Sequence, residues 1–352
     1  MIKKNIKLLL LFLFVFCGFT KAQIPAGYYD SAIGLSGTAL QQALYDIIDN
    51  HNAQTYTNLW THFQTTDKKA NGEVWDMYSD IPGGTPPYTF TFITDQRGNY
   101  KNEGDCYNRE HSFPKSWFNE ASPMYTDLFH IYPTDGEVNG LRANYPYGEA
   151  GGYAVTTLNG SRIGYNTTQG FTGTVFEPID EYKGDLARTY FYMATRYYNE
   201  DAGWTGSVMV DGAEPKPWAL EMLKHWHIND SVSTKEINRN NAVYAIQNNK
   251  NPIIDHPEWV EEIWGAPTTT ITEKQEVFSV YPNPSTDAFF IKNINTQSTL
   301  FLFDTKGSLL YSRPLLVLTE PQQIKHSLSL GVYICKIHTE NSIVVTLKII
   351  VL

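Results

Sequence analysis

Two stretches of this 352-residue chain hold side chains suited to chemistry. The first is Cys106-Tyr-Asn-Arg-Glu-His-Ser-Phe-Pro-Lys-Ser116, and the second is Asp127-Leu-Phe-His-Ile-Tyr-Pro-Thr-Asp-Gly-Glu-Val-Asn-Gly-Leu-Arg-Ala-Asn144. His111 is neutral and basic near pH 7, as a proton acceptor must be. Glu110 offers a hard anionic oxygen and Asn139 a hard neutral one. That pair suits Mg²⁺, with Ca²⁺ or Mn²⁺ as alternatives, because Mg²⁺ keeps several waters and takes few protein ligands. It is a poor zinc site, since zinc prefers His and Cys. Hydrolysis of a phosphodiester needs this combination: a base for water, a cation for the developing charge, and support for the leaving oxygen.

These side chains need elements to position them. The first stretch reads as a short strand stopped by Pro114, and residues 128–132 as a second strand stopped by Pro133. Thr134-Asp-Gly-Glu137 fits the Thr-x-x-Glu capping box, so a helix should begin at Thr134. The expected order is strand, strand, helix. Neighbouring residues on a regular strand point to opposite faces, so Glu110 and His111 share a site only if the strand ends or bends there. On the helix, Asn139 and Asn144 point roughly 140° apart at about 100° per residue, so one metal site should not use both. His130 alternates with Leu128 and Tyr132 and reads as packing or site support.

Arg109-Glu-His-Ser-Phe-Pro-Lys-Ser116, Asp127-Leu-Phe-His-Ile-Tyr-Pro133 and Gly136-Glu-Val-Asn-Gly-Leu-Arg-Ala-Asn144 resemble the bacterial endonuclease I family, built on the ββα-metal (His-Me) finger. The likeness continues in Gly184-Asp-Leu-Ala-Arg-Thr-Tyr-Phe-Tyr-Met193, Asn248-Asn-Lys-Asn-Pro-Ile-Ile-Asp-His-Pro257 and Glu261-Glu-Ile-Trp-Gly265, and it covers nearly all of residues 23–265. The resemblance implies that His111 is the general base, Glu110 the acidic metal ligand and Asn139 the helical amide ligand. Asn139 lies six residues after Pro133, the offset that the family uses for that ligand. The family's product-phosphate arginine has no counterpart between His111 and Asp127, where Lys115 is the sole cation; Arg142 on the helix is the substitute. Cleavage of DNA, and of RNA as a further substrate, is implied through the phosphate backbone, with little sequence preference and 5′-phosphate ends.

The chain ends are unlike its middle. Residues 1–22 combine three leading lysines with an apolar run and small residues before the cut, the pattern of a secretory signal peptide. Residues 38–50, 186–198, 217–227 and 234–248 read as helices, and residues 88–94 as a strand. Residues 148–173 read as irregular or short-stranded, and residues 266–276 as a linker. From residue 277 onward short strands recur, with a hairpin turn at Asp304-Thr-Lys-Gly307. Tyr281-Pro-Asn-Pro-Ser285 and Gly331-Val-Tyr-Ile-Cys-Lys336 resemble the C-terminal sorting domain of the type IX (Por) secretion system, which implies a partner in the outer-membrane export machinery. The expected fold is α+β: a ββα-metal finger core surrounded by helices over residues 23–265, then a small all-β sandwich over residues 277–352.

Charge and cysteines set limits. Residues 23–268 hold 16 Lys and Arg against 31 Asp and Glu, a net of −15, so no broad basic footprint exists and any nucleic acid must be held by a local site. Cys106 and Cys335 remain after the signal, too few for a disulfide framework. His-Glu-x-x-His is absent, which disfavours a zinc protease. A secreted monomer without stable membrane insertion is expected. The alternative reading is a secreted adhesive or glycan-binding protein whose His, Glu and Asn cluster is structural.

Overall fold

A computed structural model describes residues 24–265 and, in the tail, 279–352 apart from 293, 295, 296, 306, 307, 318, 319 and 340–343. The expected signal segment and linker lie outside the described residues, as do Lys306 and Gly307 of the expected hairpin turn. The chain divides into two compact units between Pro267 and Thr268.

The first unit is built around a helix with no solvent face. Its helices are α1 (Gly37–Ile48), α2 (Leu59–Thr66), α3 (Gly136–Arg142), α4 (Lys183–Arg196), α5 (Pro217–Asn229), α6 (Thr234–Gln247), α7 (Pro252–Asp255) and α8 (Trp259–Trp264). Every residue of α4 is buried, and α1, α5 and α7 pack on it. A helix enclosed on every side must satisfy its polar side chains internally, and the polar groups of α4 find partners inside. Arg188 pairs with Glu236 of α6, and the Thr189 and Tyr132 hydroxyls are 2.6 Å apart. Asp185 meets Arg188 at 3.8 Å and Lys235 at 2.7 Å. Helix α6 starts at a capping box in which Ser233 and Glu236 satisfy each other's backbone N–H.

The site rests on β1 (Tyr107–His111) and β2 (Ile131–Asp135), an antiparallel pair in which Glu110 faces Tyr132 and His111 faces Ile131, followed at once by α3. Boundaries differ from expectation at Pro133, at Thr134 and at Asn144. Pro133 does not stop β2 but lies within it, opposite Arg109. The sheet has two strands, so β2 is an edge strand, where a residue without an N–H is tolerated. Thr134 does not cap the helix because it stays in the ladder opposite Asn108. Asp135 caps instead, its carboxylate accepting from Val138 N at 2.9 Å. The helix then ends at Arg142, since Ala143 has φ of 49°, and Asn144 lies beyond it.

Residues 88–94 form no strand. Ile93 has φ of 71°, and the Asp95 carboxylate accepts from Thr91 N at 2.7 Å, which folds the segment into a turn. The alternating aromatics serve packing instead: the rings of Phe90 and Phe92 lie 5.9 and 6.2 Å from that of Tyr107. Residues 148–173 do carry short strands. The chain forms a β3-β4-β5 sheet from β3 (Ala150–Thr156), β4 (Arg162–Asn166) and β5 (Thr174–Glu177), then a small ladder of β6 (Val210–Asp211) and β7 (Glu214–Pro215).

The second unit is all β. A three-stranded sheet joins β8 (Ser279–Tyr281), β9 (Ala288–Lys292) and β12 (Gln322–Lys325). A four-stranded sheet joins β10 (Ser298–Phe303), β11 (Leu309–Leu315), β13 (Gly331–Thr339) and β14 (Val344–Val351). Phe289, Ile291 and Ile324 of the first meet Leu300, Ile337 and Ile349 of the second in one core. Cys335 is buried there, and both it and Cys106 are free thiols.

The revised helix start makes a stability prediction. Asp135→Ala should lower the unfolding free energy by about 1–2 kcal/mol, the usual loss for an N-cap. Thr134→Val should leave it unchanged or raise it slightly, because the buried Thr134 hydroxyl has no partner. Urea titrations giving the reverse order would show that Thr134 is the cap.

Candidate active site

Strand β1 sorts its side chains by parity. Tyr107, Arg109 and His111 take one set of neighbours, and Glu110 takes another. The Tyr107 ring lies 5.4 Å from Trp60, the Arg109 guanidinium 3.6 Å from the centre of Tyr56, and the His111 ring 5.3 Å from Tyr125. Glu110 instead meets Tyr78, whose hydroxyl donates at 3.0 Å, and Arg142, whose Nη1 donates at 3.0 Å. The alternation therefore holds to the last residue of the strand. What Glu110 and His111 share is the end of β1, where α3 crosses.

His111 is 7% exposed, with its ring against the Tyr56 and Tyr125 pair and 5.6 Å from that of His130. Its Nε2 lies 3.2 Å from the carbonyl oxygen of Tyr125. A carbonyl can only accept, so Nε2 carries the hydrogen and Nδ1 keeps the lone pair. Burial, and then the neighbouring His130, push the pKa of His111 down to about 3. The ring is thus neutral at neutral pH. His130 is fully buried, and its Nε2 donates to the carbonyl of Met124 at 2.7 Å. That arrangement matches site support.

Glu110 is 3% exposed. Burial pushes its carboxyl up to about 7, while Arg142 and Tyr78 pull it down, and burial wins. Both hydrogen bonds fall on Oε1, so Oε2 takes neither. Asn139 sits one turn before Arg142 on α3, hence on the same helix face. It is half-buried and its amide has no hydrogen bond among the described residues. A carboxyl oxygen without a hydrogen bond and an idle amide oxygen are donors of the kind a hard cation takes, its remaining ligands being water. Among the described residues, no group of three His, Cys, Asp or Glu is arranged to hold a metal.

Arg142 is placed differently from its expected position at a product phosphate. It is 1% exposed, with Nη1 on Glu110 and on the carbonyl of His111 at 3.0 Å, and Nη2 on the carbonyl of Ser112 at 2.8 Å. Its guanidinium lies 4.5 Å from the centre of the Tyr147 ring. These bonds turn it inward, because β1 ends in unpaired carbonyls that need donors. Its place is that of a strut between α3 and β1. Lys115 is the exposed cation nearby, and it pairs with Glu120 at 2.9 Å. Sequence reasoning missed Tyr78 and Tyr147, whose hydroxyls lie 2.8 Å apart behind Glu110. They come from far along the chain and carry no local motif.

The sequence model of the family described as Endonuclease I matches residues 36–258, and that described as Secretion system C-terminal sorting domain matches residues 279–352. An "Extracellular ribonuclease" of Bacillus amyloliquefaciens is 35% identical over 246 residues, covering 67% of this chain and 78% of its own. An "Extracellular ribonuclease" of Bacillus subtilis (strain 168) is 32% identical over 246 residues, with the same two shares. An "Endonuclease-1" of Buchnera aphidicola subsp. Baizongia pistaciae is 30% identical over 129 residues, 37% of this chain and 46% of that one.

The strut makes its own prediction. Arg142→Met leaves the Glu110 carboxylate buried without a cation and should cost about 3–5 kcal/mol in unfolding free energy. Adding Glu110→Gln should recover part of that loss. Strict additivity of the two changes in denaturant melts would mean that the pair is not coupled.

Proposed function

The chain belongs to the endonuclease I family and is a secreted nuclease, and from that premise we propose a sequence-nonspecific, metal-dependent endonuclease that cuts DNA, and RNA as a second substrate, with His111 as base. The observation that carries this reading is the contact of His111 Nε2 with the carbonyl oxygen of Tyr125. With Nε2 donating to Tyr125, the free lone pair is on Nδ1 of a neutral ring, ready to take a proton from water. The sorting domain and the extracellular relatives agree on a protein delivered outside the cell or to its surface, and among the described residues no helix is long and apolar enough to cross a membrane. The nuclease relatives favour this over an adhesive role. Relatives named as ribonucleases beside one named as an endonuclease support a site that reads the phosphate backbone rather than the base or sugar.

In this reading, Glu110 and Asn139 would hold Mg²⁺, with Ca²⁺ or Mn²⁺ as substitutes. The ion would neutralise charge developing on the phosphate and its leaving oxygen. His111 removes the proton of the attacking water, and Tyr125 keeps the ring in the required tautomer. In-line attack with departure of the 3′-oxygen leaves 5′-phosphate ends. Arg142 acts as a positioning residue: it fixes Glu110 and, through the carbonyl of His111, the end of the strand that bears the base.

His111→Ala should lower turnover about 10²–10⁴-fold while polynucleotide binding persists. EDTA should abolish cleavage, and end-labelling should find 5′-phosphates. Asn139→Ala should sharply raise the Mg²⁺ concentration needed for half-maximal cleavage, whereas Asn144→Ala, beyond the helix end, should change it little. Near-normal cleavage by His111→Ala would falsify the base assignment. A metal requirement shifted by Asn144 and not by Asn139 would move the metal site.

A further inference from the structure

We propose that Arg109, seated on Tyr56 and Trp60 beside His111, is the residue that binds a backbone phosphate of the substrate strand next to the cleaved bond. The inference rests on the nuclease reading and deepens it, because Arg142 points inward and a phosphate needs some other donor. Arg109 is two residues before His111 on the same face of β1. The guanidinium and the His111 ring both lie against Tyr56, at 3.6 and 6.1 Å from its centre. Trp60 lies 4.4 Å from the same guanidinium. Two aromatic faces fix the plane of the fork before any ligand arrives.

Charge separates Arg109 from its peers. Arg142, Arg162, Arg188, Arg196 and Arg239 each have a carboxylate within 4 Å. Arg109 has none among the described residues. Its Nη1 donates to the carbonyl of Tyr56 at 2.8 Å, and its Nε is enclosed without a partner. Arg97, also without a carboxylate, donates to the carbonyl of Asp105. It lies outside the group of rings around His111. In a unit with a net charge of −15 over residues 23–268, leaving a half-buried guanidinium without a counter-ion runs against the local supply of carboxylates. A half-desolvated, pre-oriented guanidinium whose Nη2 has no partner among the described residues is suited to a phosphate oxygen. Lys115 offers less, because it is more exposed and already pairs with Glu120.

The test uses the full chain carrying His111→Ala, so that substrate is bound and not cut, with a fluorescein-labelled single-stranded oligodeoxynucleotide in Mg²⁺. Adding Arg109→Gln should weaken binding about tenfold, in keeping with one lost charge-assisted bond. It should also reduce the slope of log Kd against log salt by roughly 0.7, the value for one phosphate contact on a single strand. Arg109→Lys keeps the cation on its aromatic seat and should restore the slope while recovering part of the affinity; it decides the matter if Arg109→Gln fails to fold. Lys115→Gln should change the slope less than Arg109→Gln. Unchanged affinity and slope in Arg109→Gln, or an equal loss in Lys115→Gln, overturns the proposal. If the wild-type chain cuts no polynucleotide, the nuclease reading itself fails. If it cuts and Arg109→Gln still binds normally, the Arg109 assignment alone fails.

Discussion

The site depends on one guanidinium that has no water around it. Removing an ion from water costs several kcal/mol, and the cost is offset only when geometry and hydrogen bonding are both good. Arg142 meets most of that demand with the Glu110 carboxylate, the carbonyls of His111 and Ser112, and the face of Tyr147, while its Nε has no partner among the described residues. Each partner belongs to a different part of the site. The carboxylate is the proposed metal ligand, the first carbonyl belongs to the proposed base, and the second is the first residue past the strand. A single side chain at the end of α3 thus sets the separation of helix and strand. Asn139, one turn earlier on that helix, inherits its position from the same anchor. Helix α3 spans seven residues, too short to hold its place by propensity alone, so tertiary contacts of this kind must fix it.

The second level of support is the enclosed helix α4. The Tyr190 hydroxyl donates to the carbonyl of Ser112 at 3.1 Å, so α4 and Arg142 grip the same oxygen from two sides. Further along, Tyr192 and Tyr197 donate to the carboxylate of Asp127 at 2.8 and 2.7 Å. Burial pushes the Asp127 carboxyl up, but His51, His130, the Gln247 amide and the Phe129 N–H outweigh it and hold it down at about 2. Asp127 opens the turn that leads through His130 into β2, and Ser112 closes that turn by donating to the carbonyl of His130. The many tyrosines of this chain are explained here. A tyrosine fills a core like a phenylalanine and also supplies one donor where a buried acceptor needs it.

The legible parts were those whose cause is local. Helices α5 and α6 showed in their helical residue pattern, and the tail strands showed in their regular turn signals. The proposed roles of His111, Glu110 and Asn139 came from residue type and family resemblance, because few side chains can do that chemistry. The failures have non-local causes. Whether Thr134 or Asp135 caps α3 depends on how far the ladder with β1 extends, which is set by a strand more than twenty residues upstream. Pro133 read as a stop signal because sequence cannot tell an edge strand from a central one. The aromatic alternation of residues 88–94 looked like a half-buried strand, yet Tyr107 is what those rings pack against. Arg142 was assigned to a ligand because its charge was visible and its burial was not.

An acidic protein that handles a polyanion raises a question of range rather than of sign. At physiological ionic strength charges further apart than about 8 Å are largely screened, so the net charge of the unit matters less than the cations beside the reacting bond. Many of the unit's basic groups are turned inward to carboxylates: Lys183 meets Glu149, Glu177 and Asp180, and Arg239 meets Asp67. Such pairs stabilise internal geometry and present little field outside. What remains next to His111 is one guanidinium on aromatic rings and one lysine half-neutralised by its neighbour. In the proposed reading, so few contacts would concentrate binding at one phosphate beside the reacting bond, and little of the strand beyond it would be held.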